Sequence, residues 1–92
     1  GIKSPKKIMY AKPEIIKEAK YLLGMCYYYG VGVEENKETA FQYLKEASLG
    51  ENASLAAQYY LARCYQNGIG TEPNPERAEH WRSIGNKYKI NK

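Results

Sequence analysis

Few side chains of this chain could catalyse a reaction or bind a metal, and most of them lie far apart in the sequence. His80, the only histidine, lies four residues after Glu76, so on a helix the two would share a face and could act as acid and base. Such a pair on a surface helix is usually only solvated. Cys26 and Cys64 could be nucleophiles or metal ligands, but the chain has no Cys-x-x-Cys or His-x-x-x-His spacing. The sequence therefore predicts no enzyme, no metal site and no cofactor.

Two glycine pairs resemble phosphate-binding turns. Gly30-x-Gly32 and Gly68-x-Gly70 could cradle a phosphate with their N–H groups, but neither precedes the Lys-Ser/Thr of a phosphate loop. Each pair follows an apolar helical pattern, where a glycine can adopt the left-handed conformation that ends a helix. Both pairs are predicted to be chain reversals, and no small-molecule substrate is expected.

The net charge of +4 and the pI near 9.0 leave a nucleic-acid partner open. The N- and C-terminal stretches, 1–12 and 87–92, are rich in lysine, whereas the middle mixes Glu with Lys and Arg. Because phosphate binding needs several cations on one face, weak nucleic-acid binding is only an alternative. Ser4-Pro5-Lys6-Lys7 resembles a minor-groove motif and a kinase target, and equally a helix start. No run of about 18 apolar residues occurs, so no membrane span is predicted.

The elements that carry these residues are copies of each other. An offset of 38 positions lays Leu23 on Leu61 and matches ten further residue pairs without a gap. A fixed period of this length indicates supersecondary units that bury their apolar faces only by stacking. Such solenoids usually present binding surfaces rather than catalytic sites.

The first unit reads as two helices. Apolar spacings of three, four and seven predict a helix over residues 13–29, with Pro13 in its first turn. A second helix begins after Asn36 as N-cap and closes at Gly50. The apolar face of the first helix is predicted to be Ile16, Ala19, Leu23, Cys26 and Tyr27, and the buried stripe of the second to be Ala40, Tyr43, Leu44 and Ala47.

The second unit repeats this order. A helix is predicted over residues 53–67, with Asn52 as a loop or N-cap residue, and the next helix starts at Asn74-Pro75. That last helix carries Ala78 and Trp81 inward and becomes polar, as a terminal, capping unit should. The aromatic residues expected to fill the gaps between repeats are Tyr27, Tyr43, Tyr65 and Trp81.

Cys26 and Cys64 occupy equivalent repeat positions. Successive stacked helices should hold such positions about 9 to 10 Å apart, whereas a disulfide needs Cα atoms within about 7 Å. Two buried, unpaired thiols are therefore predicted. Unpaired thiols favour a reducing compartment such as the cytoplasm, although the localisation is otherwise open.

The repeated residues carry a resemblance to a known family. Ala19-x-x-x-Leu23-Gly24-x-x-Tyr27-x-x-Gly30-x-Gly32-Val33 and its copy at Ala57, with Ala62 and Thr71 as departures, resemble the Sel-one-like repeat, a relative of the tetratricopeptide repeat. This resemblance implies an all-α fold, an α-α superhelix of antiparallel helix pairs without catalytic residues. It also implies adaptor or scaffold roles in multiprotein assemblies, including signalling. The predicted division is an arm or remnant of a preceding repeat at 1–12, repeats at 13–50 and 51–86, and a basic tail at 87–92.

Tyrosine is in excess, with ten residues among 92, and not all of them can be core. In the related tetratricopeptide stacks the inner helices line a concave groove, and Tyr, Arg and Met suit binding surfaces. Through this resemblance we predict that a protein or peptide partner binds there. The alternatives are that Tyr21 and Tyr59 pack against an adjoining repeat, and that the chain is a structural or capping segment without a ligand. The predicted groove residues are Glu18, Tyr21, Met25, Tyr28, Tyr29, Ala56, Tyr59, Arg63, Gln66 and Asn67.

Overall fold

The computed structural model describes residues 12–90, with side chains for residues 12–84. These residues form four helices and no strand: α1 (Pro13–Tyr29), α2 (Lys37–Ser48), α3 (Leu55–Asn67) and α4 (Pro75–Ile90). Each helix packs against the next along the chain, which gives two stacked helical repeats. None of these helices is both long and apolar enough to cross a membrane. The predicted arm, 1–12, lies outside the described residues except for Lys12.

The predicted helix boundaries are confirmed at the caps that glycine and asparagine provide. Gly30 and Gly68 have φ of 71° and 67° and end α1 and α3 in the left-handed conformation. The Oδ1 atoms of Asn36 and Asn74 each accept a hydrogen bond of 3.0 Å from a backbone N–H three residues later in the chain. The donors are Thr39 and Arg77. These caps satisfy N–H and C=O groups that have no partner inside a helix.

The start of α3 differs from the prediction by two residues. Ser54 is the N-cap, because its Oγ accepts a hydrogen bond of 3.1 Å from the Ala57 N–H. Asn52 instead has a φ of 59° in the turn before the helix. Asn tolerates this left-handed conformation better than most residues, so Asn52 serves the turn and not the cap. The preceding helix α2 ends at Ser48, just before the predicted stop at Gly50.

The core lies between the two repeats, on the facing sides of α2 and α3. Ala40, Leu44 and Ala47 of α2 are fully buried, as predicted, and Tyr43 is only half-buried. Phe41, which the repeat pattern did not indicate, is also buried, and its ring meets that of Tyr65 edge to face at 5.4 Å. From α3 and α4 the core receives Ala57, Leu61, Cys64, Tyr65 and Ala78.

The predicted apolar face of α1 is confirmed only in part: Tyr27 packs against the core, whereas most of the face is exposed. Ile16 and Leu23 are 42% and 43% exposed, whereas Gly24 and Tyr28 are buried. The reason is that only one side of α1 is covered by described residues. The close contact with α2 falls on Gly24, where a Cβ would stand 3.1 Å from the Leu44 Cγ.

Two expectations about single side chains need correction. Tyr27 and Tyr43 stack at 5.8 Å with an interplanar angle of 12°, so they fill a gap inside the first repeat and not between repeats. Cys26 and Cys64 are both unpaired, as predicted, but only Cys64 is buried. Cys26 is half-buried because it belongs to the poorly covered side of α1.

Candidate interaction surface

Five tyrosines from α1 and α3 form one connected group, which we call the tyrosine cluster. The Tyr60 ring lies 6.2 Å from the rings of both Tyr21 and Tyr28, so it joins the two repeats. Tyr29 meets Tyr28 edge to face at 4.8 Å, and Tyr59 meets Tyr60 in the same way at 5.4 Å. Edge-to-face and offset ring pairs at these distances are favourable beyond the area that they bury.

The sequence brings these rings together through helical periodicity. Tyr21 and Tyr28 are seven residues apart and therefore lie on one side of α1. That side packs against the core: Tyr28 is 8% exposed, and Tyr21 and Met25 are partly buried against it. Tyr21 therefore packs against the second repeat, which is one of the two alternatives that the sequence left open.

Tyr60 is the member of the cluster that the sequence analysis missed. Its counterpart in the first repeat is Leu22, so the repeat pattern does not mark the position as aromatic. A signal was present, because Tyr60 continues the spacing of the buried residues Ala57, Leu61 and Cys64 on α3.

Cations hold the buried side of the cluster. The Lys37 Nζ lies 4.2 Å from the Tyr28 ring centroid and donates a hydrogen bond of 2.6 Å to the Tyr28 carbonyl oxygen. Glu35 lies 3.3 Å from the same ammonium group and balances its charge. Arg63, which is exposed, has its guanidinium 5.8 Å from the Tyr60 ring. Cations over ring faces are attracted by the ring quadrupole, so Lys37 fixes Tyr28 from the side of α2.

The far end of the surface is polar and tied to α4. Arg82 donates a hydrogen bond of 2.6 Å to the Gln66 Oε1 and pairs with Glu79 at 2.7 Å. This contact fixes the side-chain amide of Gln66 through its oxygen. The two N–H groups of the same amide are therefore held in a defined position. Exposed ion pairs of this kind add little stability, and their value here is orientation.

The near end of the surface is a cleft of about 380 Å³ between the starts of α1 and α3. Lys17 donates to the carbonyl oxygens of Glu46 and Leu49 and thereby satisfies the C-terminal end of α2. The cleft is lined by Glu14, Lys17, Glu18, Tyr21, Asn52, Ala53, Ser54, Leu55 and Ala56.

The predicted groove residues fall into three groups by exposure. Tyr28 is buried, so it can support a binding surface only from beneath. Tyr21, Met25, Ala56 and Tyr59 are half-buried. Glu18, Tyr29, Arg63, Gln66 and Asn67 are exposed. No contact with a partner tests these residues, so their role in binding stays a prediction.

The titratable groups near the cluster are poorly suited to chemistry. Burial raises the pKa of the Cys64 thiol from 9.0 to about 11, so the reactive thiolate is scarce at neutral pH. Burial also raises the pKa of the Tyr28 hydroxyl above 10.0, with the Cys64 charge as the next cause. The exposed His80 ring lies 5.2 Å from the Trp81 ring. Within residues 12–84 no group of three His, Cys, Asp or Glu side chains is placed to hold a metal ion.

Comparison with known proteins gives one match. The family model of the Sel1 repeat matches residues 17–52 and 55–81, which together make up well over half of the chain. No curated protein and no solved structure matches the chain. The two matched ranges follow the two helical hairpins, α1 with α2 and α3 with α4.

Proposed function

This chain belongs to the Sel1 repeat family, and on that premise we propose that it binds a partner peptide or protein domain through the inner helices α1 and α3. Sel1 repeats are helical, non-catalytic repeats that generally mediate contacts between proteins. The binding surface proposed is the exposed edge of the tyrosine cluster together with its polar neighbours. The chain would then act as an adaptor or scaffold.

The observation that carries this proposal is the composition of that edge. Tyr29 is 58% exposed although its ring packs on Tyr28. Arg63 lies exposed over the Tyr60 ring. Tyr and Arg are, with Trp, the residues most enriched where binding energy concentrates, because they offer large contact area and directed hydrogen bonds. Fixed rings beside an exposed guanidinium therefore favour a protein partner.

The surface is also preorganised, which favours binding. The Tyr28 ring beneath Tyr29 is held by Lys37, and Gln66 is held by Arg82. A partner would not have to order these groups, so less of the interaction energy is lost on binding. The cleft beside Tyr21 gives such a partner room for one inserted side chain.

A display experiment tests the proposal without a known partner. Peptides are selected from a random-sequence library on the purified chain, and their affinities are measured for Tyr29→Ala and Arg63→Ala. Each change should weaken binding by about 1 to 2 kcal/mol, because each removes a contact of the interface and not of the core. Thermal melting should show both variants folded.

Arg77→Ala is the matched control, because Arg77 is also exposed and also lies 5.8 Å from a tyrosine ring, that of Tyr65. Its substitution should leave peptide binding unchanged. Selected peptides that bind both groove variants as tightly as the parent chain would contradict the proposal. Failure to select any peptide would favour a structural segment without a ligand.

Salt separates the remaining alternative, weak nucleic-acid binding. Affinity for a DNA oligonucleotide should fall steeply with salt, because phosphate binding releases counterions. Binding through tyrosine rings should depend on salt only weakly. A selected peptide whose affinity falls as steeply as that of DNA would therefore contradict the aromatic surface.

A further inference from the structure

The cleft between the starts of α1 and α3, which we call the near cleft, carries an excess of negative charge. Its charged lining residues are Glu14, Lys17 and Glu18, two carboxylates against one ammonium group. Both glutamates are exposed and stand four positions apart on α1, so their side chains are neighbours on one side of that helix. The chain as a whole has a net charge of +4, so the acidic cleft is a local feature and not a consequence of composition.

This negative charge is not neutralised by the cation that lines the cleft. The ammonium group of Lys17 donates hydrogen bonds to the carbonyl oxygens of Glu46 and Leu49 and is thereby held at the end of α2. Among the described residues, neither Glu14 nor Glu18 has an ion-pair or hydrogen-bond partner for its carboxylate. Like charges four residues apart on a helix repel each other, so a cation bound between them would relieve this repulsion.

The other walls of the near cleft suit a long side chain with an apolar stem. Tyr21 contributes a half-buried ring, and Leu55 and Ala56, in the first turn of α3, contribute apolar side chains. Arginine combines a stem of methylene groups with a planar cation that stacks on aromatic rings and forms paired hydrogen bonds with carboxylates. A cleft of about 380 Å³ has room for one such side chain.

A buried hydroxyl group in the same lining can bind the main chain of a ligand. Ser54 is 7% exposed, and its Oγ accepts the N-cap hydrogen bond from the Ala57 N–H. Within the part of the chain that the structure describes, the hydroxyl proton of Ser54 has no acceptor. A serine hydroxyl can donate one hydrogen bond while it accepts another. Ser54 can therefore donate to a carbonyl oxygen of a peptide that enters the cleft.

We propose that the near cleft binds an arginine side chain of the partner, an inference that rests on the interaction surface proposed above. The carboxylates of Glu14 and Glu18 accept hydrogen bonds from the guanidinium group. The methylene stem lies along Tyr21 and the first turn of α3. Charge-assisted hydrogen bonds to two carboxylates favour a guanidinium group, with its five donors in a fixed fork, over the ammonium group of lysine.

The opposite charge at the other end of the surface gives the bound peptide a direction. The exposed Arg63 pairs with no carboxylate among residues 12–84. It lies nine residues after Ser54 on α3, a distance of about 13 Å along the helix, which an extended peptide spans with about four residues. The partner is therefore expected to carry an acidic side chain about four residues away from its arginine.

Titration of the full chain with two small molecules tests the site directly. N-acetyl-arginine amide should shift the backbone amide signals of residues 14–21 and 52–56 in two-dimensional NMR spectra. N-acetyl-citrulline amide, its neutral isostere, should leave these signals unchanged. The double variant Glu14→Gln with Glu18→Gln should bind the arginine amide at least about fivefold more weakly, because it removes both charged acceptors at nearly constant side-chain size.

Glu76→Gln is the matched control for these variants. Like Glu14, Glu76 is an exposed glutamate in the first turn of a helix that begins with proline. Its substitution changes the net charge and a helix start in the same way, but outside the cleft. The affinity for the arginine amide should therefore be that of the parent chain. Equal weakening by Glu76→Gln would assign the effect to net charge and overturn the site.

The peptides selected on the chain give the second test. They should be enriched in arginine, and replacement of that arginine by citrulline should weaken their binding to the parent chain but not to the double glutamine variant. Selected peptides that depend on Tyr29 and Arg63 but not on an arginine of their own would overturn the arginine site and leave the proposed function standing. Absence of shifts with the arginine amide, or equal shifts with the citrulline amide, would also overturn the site. Shifts at the cleft without any selected peptide would support the site and contradict the proposed function.

Discussion

The first helices of the two repeats share a sequence pattern but differ in environment. Leu61 of α3 is fully buried, whereas Leu23 of α1, at the same repeat position, is 43% exposed. In the same way, Cys64 of α3 is buried, whereas Cys26 of α1 is only half-buried. α3 lies between α2 and α4, whereas α1 packs on α2 and meets α3 through tyrosine rings.

This difference shows what a repeat position encodes. The pattern specifies a helix, its reversal and the residue types that a neighbour can bury. Burial itself depends on whether that neighbour is present. Equivalent substitutions in α1 and α3 should therefore change the stability of the chain by unequal amounts. The difference measures how much packing by α2 stabilises the second repeat.

The largest inequality is expected between Leu61→Ala and Leu23→Ala. Leu61→Ala should lower the free energy of unfolding by about 4 kcal/mol, because it leaves a cavity in the core. Leu23→Ala should cost less than about 1 kcal/mol, because the side chain is already partly in water. Urea unfolding of both variants measures this. Equal losses would show that something covers Leu23 in solution.

The next largest difference is expected between the chain reversals of the two repeats, when a glycine in each is replaced by alanine. Gly70→Ala combines a left-handed residue with overlap against the Lys37 carbonyl, which together should cost roughly 3 kcal/mol or more. Gly32→Ala meets only the conformational cost, about 1 kcal/mol, since its Cβ has open space. Melting temperatures of the two variants compare them directly. If Gly32→Ala is as damaging as Gly70→Ala, a neighbour already fills that space.

The two thiols should differ in the pH dependence of stability. The pKa of Cys64 is raised from 9.0 to about 11 by burial, so folding keeps its proton. The resulting stability is fully present below pH 9 and is lost as pH rises towards 11, by about 2 kcal/mol. Cys64→Ala should flatten this alkaline loss relative to the parent chain, and Cys26→Ala should not. Unfolding in urea between pH 8 and 11 gives the comparison, and parallel curves for both variants would contradict it.

The smallest inequality concerns the helix starts. Ser54 caps α3 through its hydroxyl, whereas Lys12 before α1 makes no side-chain cap. Ser54→Ala should therefore lower the free energy of unfolding by about 1 kcal/mol. Lys12→Ser should raise it by up to about 1 kcal/mol, because it supplies a side-chain cap. Unfolding free energies of the two variants should move in opposite directions. A neutral Ser54→Ala would mean that solvent replaces the cap at no cost.

The sequence predicted the local structure well because the signals there are local. The start of α1 at Pro13, the caps at Asn36 and Asn74 and the left-handed Gly30 and Gly68 depend on a few adjacent residues. The 38-residue period predicted stacked helical units, and the repeated residues carried the resemblance to the family that the Sel1 repeat match shows. Backbone hydrogen bonding and steric limits on φ act over about one helical turn. The residues adjacent in the sequence are therefore enough to specify them.

Tertiary structure alone decided which face of each helix is buried. Periodicity on α1 gave two apolar sides, one through Leu23 and one through Tyr21 and Tyr28, and it favoured the Leu23 side, which is the more exposed one. The approach of Leu44 to Gly24 turned the tyrosines inward, and Tyr60 met them from the second repeat. Burial depends on residues tens of positions away, so the sequence specified what each face can bind, and the packing of α2 specified which face is covered.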